Sequence, residues 1–234
     1  MGFLSKGLGK NIKPSSMILK GGLATGKTIT LKHYLDKIEK NFSNVVGVYI
    51  NCKNHRTEYK IYLRIFEKLF NKKMINGGLS STIIYEKIIN YLVENNKILI
   101  VGLDDIESIK TFKDMNIALY NLARAHENNV NAKISIITVT QEKTLLLLDS
   151  NVSTIYHPNE VNFDSYTLSQ IKNILSDRCR LAFYKGVISD KIINEVAKYT
   201  YDTGDLREGI RILEKAGKCA EYQGSKKILE KHFI

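Results

Sequence analysis

The run Gly21-Gly22-Leu23-Ala24-Thr25-Gly26-Lys27-Thr28 holds the residues best suited to chemistry. Its spacing is that of a phosphate-binding loop: glycine, four residues, then Gly-Lys-Thr. Glycines let a backbone wrap closely around a polyphosphate and point its N–H groups at the oxygens. Gly22, Leu23, Ala24, Thr25 and Gly26 would form that cradle. Lys27 would reach the β- and γ-phosphates of ATP or ADP, and the Thr28 hydroxyl would hold Mg²⁺. Two acids, Asp104 and Asp105, close the apolar run that begins at Leu99. Asp104 is placed to hold the Mg²⁺ hydration shell, and Asp105 to polarise an attacking water. The Asp105 carboxylate is one methylene shorter than a glutamate, and hydrolysis depends on ångström-scale placement of that water.

These residues need elements to position them. Ser16–Leu19 reads as a short buried strand, and Ile29–Glu39 as the helix after the loop, whose N-terminus favours an anion. Val45–Ile50, Lys97–Leu103 and Ile134–Val139 read as further strands, with Val152–Tyr156 as a fifth. Helical spacing covers Glu58–Phe70, Ile83–Val93 and Met115–His126. Apolar strands alternating with helices predict an α/β fold with a parallel sheet covered on both faces. The carboxyl ends of such strands open onto the ligand crevice, where Asp104 and Asp105 fall.

From about Asp164 the strands stop, and Tyr166–Phe183, Asp190–Tyr201 and Leu206–Tyr222 read as amphipathic helices. The expected organisation is a nucleotide-binding domain over residues 1–160 and an all-helical subdomain over 161–234, with Pro158 as linker. Asp205 caps the last helix, and Glu208 is spaced to complete a capping box. Arg207 then lies in the first turn, where the helix dipole disfavours a cation. Either a phosphate neutralises it or it swings into solvent.

A formal net charge of +11 on 234 residues favours a polyanion: nucleic acid, an anionic membrane surface or an acidic partner. Lys60, Arg64, Lys68 and Lys72 are spaced four apart, which on a helix makes one basic face beside the apolar Ile61, Ile65, Phe66, Leu69 and Phe70. DNA is the partner this stripe suggests, with an ordinary solvated face as the alternative. Cys52, Cys179 and Cys219 are far apart and odd in number, which fits a reducing, cytoplasmic setting. The five histidines lack ligand spacing. Met1–Lys6 matches neither a signal peptide nor the myristoylation pattern, and no apolar run is of bilayer length.

In their order these elements resemble AAA+ ATPases, and in detail the archaeal replication initiators of the origin recognition complex and cell-division-control family. The residues carrying the resemblance are Tyr49-Ile50-Asn51-Cys52 with Thr57 and Tyr59, Phe163–Tyr166, Ile174–Arg178, Gly186–Ser189, Gly204-Asp205-Leu206-Arg207 and Ala216–Glu221. The resemblance spans roughly residues 16 to 232. It implies a P-loop domain with a five-stranded parallel sheet, a helical lid and ATP between them. It also implies origin recognition and helicase loading, with DNA, the replicative helicase and other initiator subunits as partners. Arg207 takes the sensor-two place, and the basic helix lies where that family carries a DNA-touching insertion. Three positions depart from the family pattern: Asp105 where Glu is usual, Gln141 at the sensor-one place where Asn is usual, and Asn151 at the arginine-finger place. Weak or absent turnover is the expectation. The chain ends about where that family's winged-helix domain begins, which fits a fragment or a short paralogue. Another AAA+ branch, such as a clamp loader or transposition helper, and a hydrolysis-deficient scaffold are the alternatives.

Overall fold

The computed structural model describes residues 12, 14–73, 78–141 and 148–233, so the reading of Met1–Lys6 lies outside the described residues. The chain divides into two units. The first takes the residues up to Gly21 with Gly26–Phe163, and the second takes Gly22–Thr25 with Asp164–Ile234.

In the first unit β1 (Met17–Gly21), β2 (Val45–Asn51), β3 (Ile98–Asp104), β4 (Lys133–Thr140) and β5 (Asn159–Phe163) form one parallel sheet in the order β2-β3-β4-β1-β5. β3 has a partner on each side and is buried at every position, which explains its unbroken apolar run. Helices α1 (Lys27–Asn41), α2 (Glu58–Phe70), α3 (Ser81–Glu94), α4 (Phe112–Ala123), α5 (Ala125–Asn128) and α6 (Ser150–Ser153) complete the unit. Leu31, Tyr34, Leu35 and Ile38 of α1 share one core with Ile100, Ile137 and Val139 of the sheet. Tyr62, Ile65, Ile84, Ile88 and Leu119 build another with Leu99, Val101 and Ile134. Alternate residues of β3 thus feed cores on opposite faces, giving three layers. Gly102 sets how closely α1 docks, because a Cβ there would lie 2.8 Å from Leu31 Cδ1.

Three sequence expectations need correction here. Val152–Tyr156 is not a strand: Val152 lies in the short α6, and Val152 and Tyr156 are both buried. Their four-residue spacing is that of one helical face. The fifth strand is instead Asn159–Phe163, which among the described residues pairs with β1 alone and exposes Asn159, Glu160 and Asn162. Such a polar edge strand has no apolar signature to read. Pro158 is accordingly no linker but the residue before that edge strand, where a missing N–H is tolerated. The helical spacing over Met115–His126 also breaks at Arg124, between α4 and α5.

The second unit holds α7 (Leu168–Ala182), α8 (Asp190–Thr203) and α9 (Leu206–Tyr222). Ile171, Leu175, Cys179, Ile192, Val196 and Leu213 form its core. α8 and α9 meet closely at Gly209, where a Cβ would lie 2.2 Å from Thr200 Oγ1. The capping box read at α9 does not form. Asp205 Oδ1 accepts from the Arg207 N–H at 2.9 Å, and the Glu208 carboxylate is drawn to Arg211 at 2.6 Å. Among the described residues no helix is long and apolar enough to cross a membrane.

Candidate nucleotide-binding site

The loop after β1 begins at Gly21, whose φ of 152° and contact with β5 exclude a side chain. Ala24 and Gly26 also take positive φ, 56° and 92°, so the backbone curls before α1 begins at Lys27. Thr57, Ser80, Thr111, Thr167, Ser189 and Asp205 each cap a helix by accepting a backbone N–H. Among these long helices of the described chain, α1 alone has no side-chain cap and no acid in its first turn. A helix N-terminus with no side-chain cap and the positive end of a dipole suits an external anion.

Lys27 is buried, and its Nζ donates to the Gly21 carbonyl oxygen at 2.7 Å. That contact folds the ammonium back over the loop. Thr28 Oγ1 lies 3.0 and 2.9 Å from the two Asp104 carboxylate oxygens. Asp104 is 2 % exposed, at the carboxyl end of β3. A hydroxyl and a carboxylate at this distance are hard oxygen donors of the kind Mg²⁺ takes, so the residues present fit that ion. The Tyr49 hydroxyl also donates to Asp104 Oδ2, at 2.7 Å. Burial, and then the Asp104 carboxylate, push the Tyr49 phenol far above its ordinary value, so it remains a donor. Cys52, behind these acids, is pushed up to about 12 by burial first and then by the charges of Asp104 and Asp105.

Asp105 takes a left-handed φ of 52° at the turn after β3. Its Oδ2 is held by Lys53 Nζ at 2.9 Å. The loop around Lys53 is tied to the same turn: Cys52 N–H donates to the Asp104 carbonyl at 2.9 Å, and Lys110 N–H to the Arg56 carbonyl at 2.7 Å. Gln141 is exposed directly after β4. Asn151 is exposed on α6. Arg207 is exposed in the first turn of α9, with no ion pair among the described residues. Within the second unit, loop residues Leu23, Ala24 and Thr25 line a cavity of ≈ 430 Å³ with Tyr166, Ile171 and Leu206.

The basic stripe is shorter than its spacing suggested. Lys60, Arg64 and Lys68 are exposed on α2, but Asn71 ends the helix in a left-handed turn, so Lys72 leaves the face. Lys68 pairs with Glu39 at 3.2 Å, and Arg64 approaches Glu67 at 3.6 Å. Tyr49 and Lys53 are the site residues that sequence reasoning missed. Tyr49 was visible only as part of a resemblance, because its reach to Asp104 depends on strand register.

The family model for an AAA domain matches residues 12–148, and that for a Cdc6 AAA+ ATPase-type lid domain matches residues 172–233. The chain is 37% identical over 224 residues to "ORC1-type DNA replication protein 2" of Methanothermobacter thermautotrophicus, covering 95% of this chain and 59% of that protein. It is 37% identical over 221 residues to the protein of the same name from Methanosarcina mazei, covering 94% of this chain and 59% of that protein. Among solved structures, the Aeropyrum pernix ORC1 protein in complex with DNA superposes with a TM-score of 0.84 at 25% identity, over 98% of this chain and 60% of that one. Cdc6p from Pyrobaculum aerophilum superposes with a TM-score of 0.81 at 26% identity, over 97% of this chain and 61% of that one. The chain thus spans about three fifths of the length of these relatives. The AAA domain model over residues 12–148 places this chain in the AAA+ family, and the Cdc6-type lid model with the relatives at 37% identity place it in the branch of the ORC1-type and Cdc6 replication proteins.

Proposed function

We propose that the chain binds ATP or ADP with Mg²⁺ and serves as a nucleotide switch in replication initiation, contacting DNA at origins and acting in helicase loading. The observation that carries this reading is the Thr28–Asp104 pair at 2.9–3.0 Å beside an uncapped helix N-terminus. Lys27 and the backbone of Gly22–Gly26 bind the phosphates, Thr28 and Asp104 hold the ion, and Arg207 acts as the lid's phosphate sensor. The ion, when bound, screens phosphate charge and fixes the polyphosphate. The exposed Lys60 and Arg64 supply the DNA contact, which fits the net charge of +11. Other initiator subunits and the replicative helicase are the protein partners this reading implies.

A second reading, a nucleotide-binding scaffold with little turnover, is favoured by one contact. Asp105, the carboxylate proposed to polarise water, is held by Lys53 at 2.9 Å. The exposed Gln141 and Asn151 add to it, since neither brings a positive charge to the transferred phosphate. The test of the main reading is the binding of fluorescent ADP with and without Mg²⁺. Wild type should bind more tightly with the ion, and Thr28→Ala should lose most of that gain. Equal Mg²⁺ dependence in the two proteins would remove the ion from Thr28.

A further inference from the structure

Asp104 is held from two sides, and the two sides are unequal. Among the described residues Oδ1 accepts from Thr28 alone, at 3.0 Å, whereas Oδ2 accepts from Thr28 at 2.9 Å and from the Tyr49 hydroxyl at 2.7 Å. The sheet register creates the second contact. Tyr49 on β2 lies opposite Gly102 on β3, and Asp104 is two residues further along on the same face. A tyrosine spans such a diagonal, and the residue between, Gly102, has no side chain to hold the ring away. Lys32 on α1 places its Nζ 4.4 Å from the centroid of the Tyr49 ring. A cation over the ring face keeps the phenol in place and draws density from it, which strengthens the hydroxyl as a donor.

We propose that Tyr49 is a positioning residue that fixes the Asp104 carboxylate with Oδ2 occupied and Oδ1 presented, and thereby sets the site's preference for Mg²⁺ over Ca²⁺. The proposal rests on the reading of this site as one for a metal nucleotide. Mg²⁺ takes carboxylates one oxygen at a time in a strict octahedron, while Ca²⁺ accepts both oxygens of one carboxylate and an irregular shell. A carboxylate with one oxygen committed to a phenol suits the first ion and penalises the second. A purely structural role for Tyr49 would lie in its ring, which packs at the margin of the α1 core. Tyr49→Phe keeps that ring and removes only the hydroxyl.

The experiment is binding of fluorescent ADP to wild type and Tyr49→Phe, in EDTA and over titrations of Mg²⁺ and of Ca²⁺, with a thermal melt of each protein. Groups that orient a metal's ligands change metal affinity by 10–100-fold, so the Mg²⁺ midpoint should rise about ten-fold in Tyr49→Phe while the Ca²⁺ midpoint moves by less than about three-fold. Binding in EDTA and the melting temperature should be unchanged. Mg²⁺ midpoints agreeing within about two-fold, against the ten-fold or more expected of an orienting group, would overturn the proposal. So would equal shifts for the two ions, which signify a general loosening. If wild type binds no ADP in any of these conditions, the nucleotide reading fails and the role of Tyr49 with it. Wild-type binding with an unaffected Tyr49→Phe removes the Tyr49 claim alone.

Discussion

Gly21 and Gly22 are neighbours in the phosphate loop, yet the structure gives them different work. A Cβ on Gly21 would lie 2.3 Å from the Phe163 carbonyl oxygen and 2.9 Å from Phe163 Cβ. The obstacle is the backbone of β5, which cannot swing aside as a side-chain tip can. Gly21 also has a φ of 152°, where an L side chain is strained at a cost of about 1–3 kcal/mol. Overpacking adds about 1–3 kcal/mol more. Gly21→Ala should therefore cost roughly 2–6 kcal/mol. At about 2–4 °C per kcal/mol for a chain of this size, the melting temperature should fall by roughly 4–24 °C. A Cβ on Gly22 would meet nothing closer than Thr25 Cγ2, at 3.9 Å. Gly22→Ala should stay within about 0.5 kcal/mol of wild type. Thermal melts of the two variants decide the matter. Equal losses, or a larger loss at Gly22, would refute the view that the first glycine of the motif is there to let β1 and the edge strand β5 meet.

If α2 tracks a DNA backbone, replacing Lys60 and Arg64 together by Ala should flatten the log–log salt dependence of DNA binding by about two units. Lys68→Ala should add little, because Lys68 is already paired with Glu39; an unchanged slope in fluorescence anisotropy returns α2 to a solvated face. With Asn151 proposed at the arginine-finger place, phosphate release by the unmodified chain should be slow, since the lack of that arginine alone costs on the order of a thousand-fold. Asp105→Glu with Gln141→Asn and Asn151→Arg should raise it, and brisk release without these changes would contradict the roles given to the three positions. With the Cys52 thiol buried and pushed up to about 12, a thiol reagent at mildly alkaline pH should label Cys219 in the folded chain and reach Cys52 only on unfolding. Labelling in the reverse order would show that the strand end is open.

What the sequence disclosed and what it hid follow the range of the forces involved. The phosphate loop, the buried β3 and its terminal Asp104 are local patterns, and each falls where its spacing places it. α2 and α9 also run over the residues their periodicity marks, Glu58–Phe70 and Leu206–Tyr222. The edge strand β5 was illegible because exposed strands need no apolar alternation, and its partner β1 is far away in the chain. Lys72 continues the four-residue spacing, but the left-handed Asn71 stops the helix before it. Glu208 has the capping-box spacing, yet Arg211 one turn on offers it a charge rather than an N–H. The contacts that tune the acids are register effects. Tyr49 meets Asp104 because β2 and β3 align Tyr49 with Gly102, and Lys53 meets Asp105 because both follow the ends of paired strands.

The central claim is that Lys27, folded over the loop at 2.7 Å from the Gly21 carbonyl, is the cation that receives a nucleotide's phosphates. Calorimetric titration of ADP with Mg²⁺ into wild type and Lys27→Ala tests it most directly. Wild type should bind, and Lys27→Ala should bind at least ten-fold more weakly, about 1.4 kcal/mol or more. Equal affinities for the two proteins would contradict the assignment of this loop as the phosphate site.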